Sequence, residues 1–112
     1  MLARHLRLKR PQDFQRIRDQ GRHLHGGLVS LNVLDNDLPH NRFGFVISRR
    51  VGNAVVRNRV KRRLRAVVRS RLTKLDEGFD IVVISHAAAA AASYHELDAR
   101  LADLFQKAGL LD

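Results

Sequence analysis

A chain of 112 residues has the size of one domain with one modest hydrophobic core, and its content of 45% hydrophobic residues is typical of a folded protein. It carries a formal net charge of +10 and no cysteine, which excludes disulfides and thiolate zinc sites and fits a reducing, cytoplasmic environment. Its apolar runs are too short to span a bilayer and its basic N-terminus lacks the apolar core of a secretory signal, so we expect no membrane partner.

The positive charge is concentrated in one stretch, Arg42–Arg71. This stretch holds eleven Arg or Lys residues and no Asp or Glu, whereas the rest of the chain holds ten basic and eleven acidic residues. Such an electrostatic footprint indicates a polyanion as the partner. Seventeen of the 21 basic residues are arginines, which suits bidentate contacts with phosphate, although a GC-rich genome would produce the same bias.

The first predicted elements are a basic arm and a short helix. Residues 1–10 predict a poorly ordered arm. Pro11–Gln20 predicts a helix, because proline is favoured in a first helical turn and Gly21 can take the left-handed position that ends a helix. Phe14 and Ile17 share a face of this helix. Periodicity favours a core position for both, and leaves open a place for Phe14 at a groove edge where a base could stack.

Two strands are predicted next, about Gly27–Leu34 and Arg42–Arg49, with the turn-rich loop Asp35–Asn41 between them. We expect them to pair as a hairpin with one apolar face and one mixed face, on which Gly44 leaves space. A mixed face with basic ends is a possible platform for an extended nucleic-acid strand. The apolar face would carry Val29, Leu31, Val33, Phe43, Phe45 and Ile47.

The basic stretch continues as a predicted helix over residues 54–72, with Asn53 as its N-cap. Like charges four residues apart destabilise a helix, and a merely solvated face usually mixes charges of both signs. The absence of acids therefore indicates a surface for RNA or DNA. One apolar stripe would attach the helix to the sheet, formed by Val56, Val60, Leu64 and Val67.

The C-terminal part predicts one more strand and one more helix. Phe79–Ser85 is apolar enough to be a central strand. Ala87–Ala92 could be helix or linker. The S-x-x-E pattern at Ser93 has the form of a capping box, so the last helix should start at Tyr94, and Gly109 is a plausible stop. The apolar face of this helix would carry Leu97, Leu101, Leu104 and Phe105.

Motifs of catalysis are weak in this sequence. His23 and His25 could form a metal pair on an extended segment, but the other four histidines are scattered, which favours surface or turn positions. There is no phosphate-binding loop, nucleophile elbow or carboxylate cluster, so we expect no catalytic residue and no metal site in this protein. A basic-region DNA-binding helix is disfavoured because no heptad segment follows Arg71, so we expect no DNA partner.

Ser48–Arg65, reading SRRVGNAVVRNRVKRRLR, closely resembles the signature of the bacterial ribonuclease P protein subunit. In that family a basic strand end is followed by G-N-A-V and then by R-N-R-x-K-R. The resemblance extends to Arg7–Gly21, to the F-D-I-V-V-I strand and to SYHELDARLADLF near the end. It therefore spans nearly the whole chain in family order.

The resemblance implies an α/β (α+β) fold, a single-domain two-layer sandwich over residues 1–112 with the order α-β-β-β-α-β-α. The extra strand would be a short piece near Arg22–Gly26. The sheet would be mixed, and the basic helix would join two parallel strands by a left-handed crossover, where general rules predict a right-handed one.

The function implied by the resemblance is assistance to a catalytic RNA in removing the 5′ leader from precursor tRNA. The partners would be ribonuclease P RNA and precursor tRNA in the cytoplasm. The RNA would provide the active site and its Mg²⁺, with no cofactor held by the protein alone. Two alternatives are a generic ribosome- or translation-associated RNA-binding module and a histidine-based ribonuclease that acts alone.

The resemblance also implies site residues. A cleft between the first helix and the sheet would hold the single-stranded leader, and Phe14 matches a stacking aromatic there. Arg18 and Asn32 stand where the family often has further aromatics, so stacking would be weaker and arginine contacts would compensate. The residues expected to face the RNA subunit or its substrate are Arg49, Arg50, Asn53, Arg57, Asn58, Arg59, Lys61, Arg62 and Arg65.

Overall fold

The computed structural model describes residues 2–111, which form three helices and four strands in the order α-β-β-β-α-β-α. This order confirms the prediction, including the short strand before the first long one. Among these residues no helix is both long and apolar enough to cross a bilayer. The elements are α1 Pro11–Gln20, β1 Arg22–Leu24, β2 Val29–Asp35, β3 Arg42–Ile47, α2 Ala54–Arg71, β4 Phe79–Ser85 and α3 Tyr94–Lys107, with 3₁₀ turns at Arg4–Leu6, Arg49–Val51, Leu72–Lys74 and Ala87–Ala91.

The four strands form one mixed sheet in the order β1-β2-β4-β3. The predicted β2–β3 hairpin is therefore wrong: β4 lies between them, antiparallel to β2 and parallel to β3. The connecting loop crosses the start of β4 and is held there, because Asn36 donates its backbone N–H to the carbonyl of Gly78 at 2.9 Å. The α2 crossover joins the neighbouring parallel strands β3 and β4, and its left-handedness stays a prediction.

One face of the sheet packs against α2 and α3 and forms the main core. The predicted stripe of α2 is confirmed at Val60, Leu64 and Val67, which are buried, while Val56 is half-buried and Val68 is buried in addition. The predicted apolar face of α3 is buried throughout. From the sheet this core receives Val29, Leu31, Val33, Phe43, Ile81 and Val83.

Local capping explains where the two long helices begin. The Asn53 side chain accepts the backbone N–H of Val56, and Ser93 and Glu96 form the predicted capping box. The alanine run, left open as helix or linker, is a 3₁₀ turn whose Ala89 is fully buried against the main core. These caps satisfy backbone groups that the first helical turns leave without partners.

The other face of the sheet is only partly covered, by α1. Ile17 is buried there, as periodicity predicted, together with Val82. Gly21 was expected in a left-handed conformation, but its φ is −80°. A glycine is needed for a different reason: a Cβ at this position would lie 2.8 Å from the carbonyl oxygen of Val33, so only glycine lets the end of α1 approach β2 so closely.

The N-terminal segment packs along the free edge of β3. Leu2 and Leu8 are buried, and the backbone N–H of Leu8 donates to the carbonyl of Phe43 at 2.8 Å. The prediction of a poorly ordered arm over residues 1–10 is therefore corrected for residues 2–10, because two leucines bury apolar surface that a free arm would expose to water. Met1 lies outside the described residues.

Candidate nucleic-acid interface

The basic surface begins at the C-terminal end of β3. A 3₁₀ turn follows the strand, anchored by the buried side chain of Val51. Ser48 accepts the backbone N–H of Arg50 at 3.2 Å, which shapes the turn. Arg49 and Arg50, which match the family's basic pair, are both exposed on it, and their contact with RNA stays a prediction.

Helix α2 carries the surface further, starting from its N-cap Asn53. Asn58 and Arg62 are exposed, whereas Arg57, Lys61 and Arg65 are half-buried. Among the described residues, no carboxylate lies within 4.0 Å of these cations or of Arg49 and Arg50. Like charges thus stand together without compensation, which leaves a positive potential available to a polyanion. A shallow depression of about 290 Å³ on the outer side of the helix is lined by Arg62, Arg65, Ala66 and Arg69.

Not every basic side chain of α2 belongs to this surface. Arg59 donates to the carbonyl of Ala90 at 3.4 Å, and Arg63 donates to the carbonyl of Ala92 at 2.8 Å. Both reach toward the alanine turn and help to attach it to α2. The RNA-facing role given to Arg59 stays a prediction, and its contact with the alanine turn is the alternative role.

Arg71, the last residue of α2, is bound to α3. It donates to both carboxylate oxygens of Asp98, at 2.8 and 2.9 Å. These hydrogen bonds lower the pKa of Asp98. Arg71 therefore contributes to helix packing, and the acid-free surface ends before it.

Phe14 lies between α1 and the edge of the sheet. It is half-buried, and its ring occupies the space that Gly44 leaves: a Cβ at Gly44 would meet the ring at 2.5 Å. The ring lines a cavity of about 240 Å³ that also reaches Lys61 and Arg65 of α2. The structure thus brings Phe14, which the resemblance assigns to the leader cleft, together with two cations of the basic helix.

Arg18 and Asn32, the other residues assigned to the leader cleft, do not line this cavity. Arg18 is exposed, and its side chain donates to Gln15 in the same helix. Asn32 is buried on the face of β2 that α1 partly covers. Its cross-strand neighbour on β4 is Val82, which is paired in turn with Gly44. Asn32 therefore lies in the same row of the sheet as the glycine under Phe14.

A buried carboxylate, which sequence reasoning missed, positions α1 on the sheet. Asp80 of β4 is fully buried and accepts hydrogen bonds from Arg42 at 2.7 and 2.8 Å, from Arg16 of α1 at 3.0 Å and from Asn36 at 3.0 Å. Burial acts to raise the pKa of Asp80, but these hydrogen bonds outweigh it, so the pKa is lowered. The sequence feature that could have indicated this buried carboxylate is the single aspartate within the apolar strand FDIVVIS, because a buried charge needs paired partners.

The histidines do not assemble a metal site. Within residues 2–111, no group of three or more His, Asp or Glu side chains is placed to hold a metal ion. His23 accepts or donates a hydrogen bond with the carbonyl of Arg18 at 2.8 Å, and His86 pairs with Ser30 at 2.7 Å. The basic surface offers nitrogen donors and no carboxylate, so its residues do not fit a Mg²⁺ site.

Fold and site together define a single-domain α+β protein of the nucleic-acid-binding class. The sequence model of the family described as Ribonuclease P matches residues 2–109. The chain belongs to the ribonuclease P protein family. The expectation drawn from Ser48–Arg65 is thereby confirmed, and the alternative of a generic translation-associated module has no support.

Individual relatives agree over nearly the full length. A ribonuclease P protein component from Acidothermus cellulolyticus is 46% identical over 101 residues, which cover 88% of this chain and 84% of the relative. One from Synechocystis sp. is 39% identical over 113 residues, which cover 99% of this chain and 91% of the relative. Among solved structures, the RNase P protein of Staphylococcus aureus superposes with a TM-score of 0.88 at 27% identity, covering 96% of this chain and 98% of that one. The RNase P protein of Thermotoga maritima superposes with a TM-score of 0.83 at 28% identity, covering 90% of this chain and 96% of that one.

Proposed function

We propose that this protein binds a ribonuclease P RNA and the single-stranded leader of precursor tRNA, and so helps the RNA to remove the 5′ leader in the cytoplasm. Membership of the ribonuclease P protein family supports the reaction. The observation that carries the binding role is the acid-free surface formed by the β3 end and α2, which continues into the cavity beside Phe14.

The contribution of the protein is electrostatic. Precursor tRNA and the RNA subunit are both polyanions and repel each other. The cations of the β3 end and α2 have no carboxylate within 4.0 Å among the described residues, so their charge is free to reduce that repulsion. We therefore expect the protein to matter most at low salt and low Mg²⁺.

The chemical step belongs to the RNA subunit in this proposal. The basic surface does not fit a Mg²⁺ site. Hydrolysis of a phosphodiester by bound metal ions requires oxygen ligands that hold those ions. Those ligands and the catalytic Mg²⁺ would come from the RNA. The protein would act by binding and orientation alone.

The test is cleavage of precursor tRNA by a bacterial ribonuclease P RNA at low Mg²⁺, with and without this protein, beside a reaction that contains the protein alone. We expect stimulation of the RNA and no cleavage by the protein alone. Absence of stimulation would contradict the proposal. Cleavage by the protein alone would instead support the histidine-based ribonuclease.

A further inference from the structure

Two histidines that are far apart in the sequence meet at the edge of the sheet. The imidazole rings of His5 and His40 lie edge to face, with their centroids 5.1 Å apart and an angle of 87° between the ring planes. His5 belongs to the 3₁₀ turn of the N-terminal segment, residues 2–10, and His40 belongs to the loop between β2 and β3. The contact therefore joins the N-terminal segment to a loop of the sheet.

The other attachments of the N-terminal segment to β3 are sparse. Among the described residues, one backbone hydrogen bond joins them, from the N–H of Leu8 to the carbonyl of Phe43 at 2.8 Å. The side chains of Leu2 and Leu8 are buried. By comparison, β3 is paired with β4 along its whole length. Because local opening occurs where contacts are few, the segment can leave the edge of β3 while the sheet stays folded.

The surroundings of the two rings do not favour either sign of charge. Among the described residues, no carboxylate lies within 4.0 Å of either imidazole. Glu77 lines the same surface cleft as His40, which is formed by the N-terminal turn, the loop before β3 and the chain between α2 and β4. These segments carry three cations and three carboxylates, so their formal charges cancel and the interaction between the two rings remains. The six residues are Arg4, Arg7, Asp37, Lys74, Asp76 and Glu77.

The interaction between the rings depends on how many of them are protonated. Histidine is the side chain that changes charge between pH 8 and pH 5. Two neutral rings attract each other in the edge-to-face arrangement. Two protonated rings place like charges 5.1 Å apart, and in the dielectric constant of water this repulsion changes an equilibrium constant by about fourfold. Release of the N-terminal segment relieves the repulsion, so proton uptake by both rings favours the released state.

We propose that the contact between His5 and His40 is a pH-sensitive latch. It holds the N-terminal segment on the edge of β3 near neutral pH and releases the segment when both rings are protonated. Release uncovers the backbone of β3 at Phe43, where the segment is hydrogen-bonded. The latch lies beside the first residue of β3, whereas the basic turn Arg49–Val51 follows the last residue. The inference therefore goes beyond the proposed function and does not depend on the identity of the RNA.

The experiment measures amide hydrogen exchange of the full chain by NMR at about pH 7.5 and about pH 5, in about 10 mM salt, where charges are weakly screened. The reporters are the N–H groups of Leu6, Arg7 and Leu8, which donate to carbonyls of Ala3, Arg4 and Phe43. Their protection factors are corrected for the intrinsic exchange rate at each pH. The amides of β4, which is paired on both sides, report global unfolding.

We expect the protection of the three reporters to fall about fourfold between the higher and the lower pH, while the β4 amides keep theirs. His40→Phe retains an aromatic ring beside His5 that cannot be protonated, so the protection of its reporters should be equal at both pH values. His5→Phe alters an exposed side chain and should give the same result. The matched control, His25→Phe, replaces an exposed histidine outside the contact and should keep the pH dependence of the wild type.

Three results would overturn the inference: equal protection of the wild type at both pH values, an undiminished fall in both latch variants, or an equal fall at the β4 amides. The buried carboxylate of Asp80 does not produce a fall in this range, because its pKa is lowered and it stays charged at the lower pH. Raising the salt concentration to about 1 M shortens the screening length to about 3 Å and should reduce the fall in the wild type. A fall that is unaffected by salt would exclude repulsion between the rings as its cause.

Discussion

At the scale of single residues, Asp80 decides how α1 is held on the sheet. Its carboxylate is fully buried and receives donors from Arg16 on α1, from Arg42 on β3 and from Asn36 in the loop that crosses β4. Phe14 lies on the same helix as Arg16, so this ion cluster and the apolar contacts of Ile17 together hold the Phe14 ring over Gly44. A fully buried residue that does not line the cavity therefore contributes to its shape.

We predict that Asp80→Asn lowers the free energy of unfolding at pH 7 by about 2 to 3 kcal/mol, because removing the acid of a buried ion pair leaves its donors uncompensated. The loss of stability is reduced by the partial exposure of Arg16 and Arg42. Urea denaturation measures this change. Asp98→Asn is the control: its ion pair with Arg71 is partly exposed on both sides, so we expect a loss of about 1 kcal/mol or less. Equal losses would contradict the role of burial.

The lowered pKa of Asp80 also predicts a pH dependence. A carboxylate with a folded pKa below its unfolded value contributes stability above the unfolded pKa of about 4, and this contribution is lost as the pH falls through the folded pKa. The wild-type protein should therefore lose stability below about pH 4 more steeply than Asp80→Asn. Parallel acid transitions of the two proteins would show that Asp80 is not responsible.

At the scale of elements, α2 has three sides with different tasks. One side is the stripe around Val60 and Leu64, which packs against the sheet. A second side is tied to the C-terminal part by Arg63 and Arg71 through hydrogen bonds to Ala92 and Asp98. The third is the acid-free side. Basic residues on one helix thus divide into a structural set and a set available to RNA.

This division predicts that replacing an arginine of α2 by alanine affects either RNA binding or stability, depending on the side of the helix on which the arginine lies. Arg62→Ala should weaken binding to the RNA subunit several-fold and leave the unfolding temperature unchanged, because Arg62 is exposed and has no carboxylate within 4.0 Å among the described residues. Arg71→Ala should lower the free energy of unfolding by about 0.5 to 1 kcal/mol, as a partly exposed ion pair is lost, and leave RNA binding nearly unchanged. Filter binding and thermal unfolding give both readouts. If Arg62→Ala unfolds the protein, its position is structural.

At the scale of the whole molecule, charge is segregated along the chain and in space. The net charge of +10 comes from the stretch Arg42–Arg71, whereas the part from Leu72 onward has three basic and seven acidic residues. The fold packs α3, which carries three of these acids, against α2, where Asp98 binds Arg71. The described carboxylates of α3 thus meet α2 at Arg71, whereas no described carboxylate lies within 4.0 Å of Arg49, Arg50 or Arg62.

The segregation of charge predicts which residues are responsible for the salt dependence of RNA binding. Removing two cations of the surface, as in Arg49→Ala with Arg50→Ala, should flatten the slope of log affinity against log salt by about 1.4 to 1.8, because fewer counterions are released from RNA. The control, Arg100→Ala with Lys107→Ala on α3, changes net charge equally and should leave the slope unaltered. Equal slopes in the two variants would mean that net charge alone governs binding.

Local signals were sufficient for much of the fold. The caps at Asn53 and Ser93, the stripe of α2 and the boundaries of α1 depend on residues within a few positions of each other, and they were predicted correctly. The strand order was not, because the choice of β4 rather than β2 as the neighbour of β3 depends on contacts between segments far apart in sequence. The packing of Leu2 and Leu8 on the β3 edge escaped prediction for the same reason.

The sequence by itself determined that the chain has one acid-free basic helix, which predicts a polyanion as its partner, because charge and helical spacing are local properties of the chain. It also determined the family, through Ser48–Arg65. Only the tertiary structure decided which of these arginines are available, since the groups that bind Arg59, Arg63 and Arg71 lie some thirty residues away, on the alanine turn and α3. It likewise decided that Phe14, the N-terminal segment and Lys61 form one cavity, because that meeting requires the whole sheet to be folded.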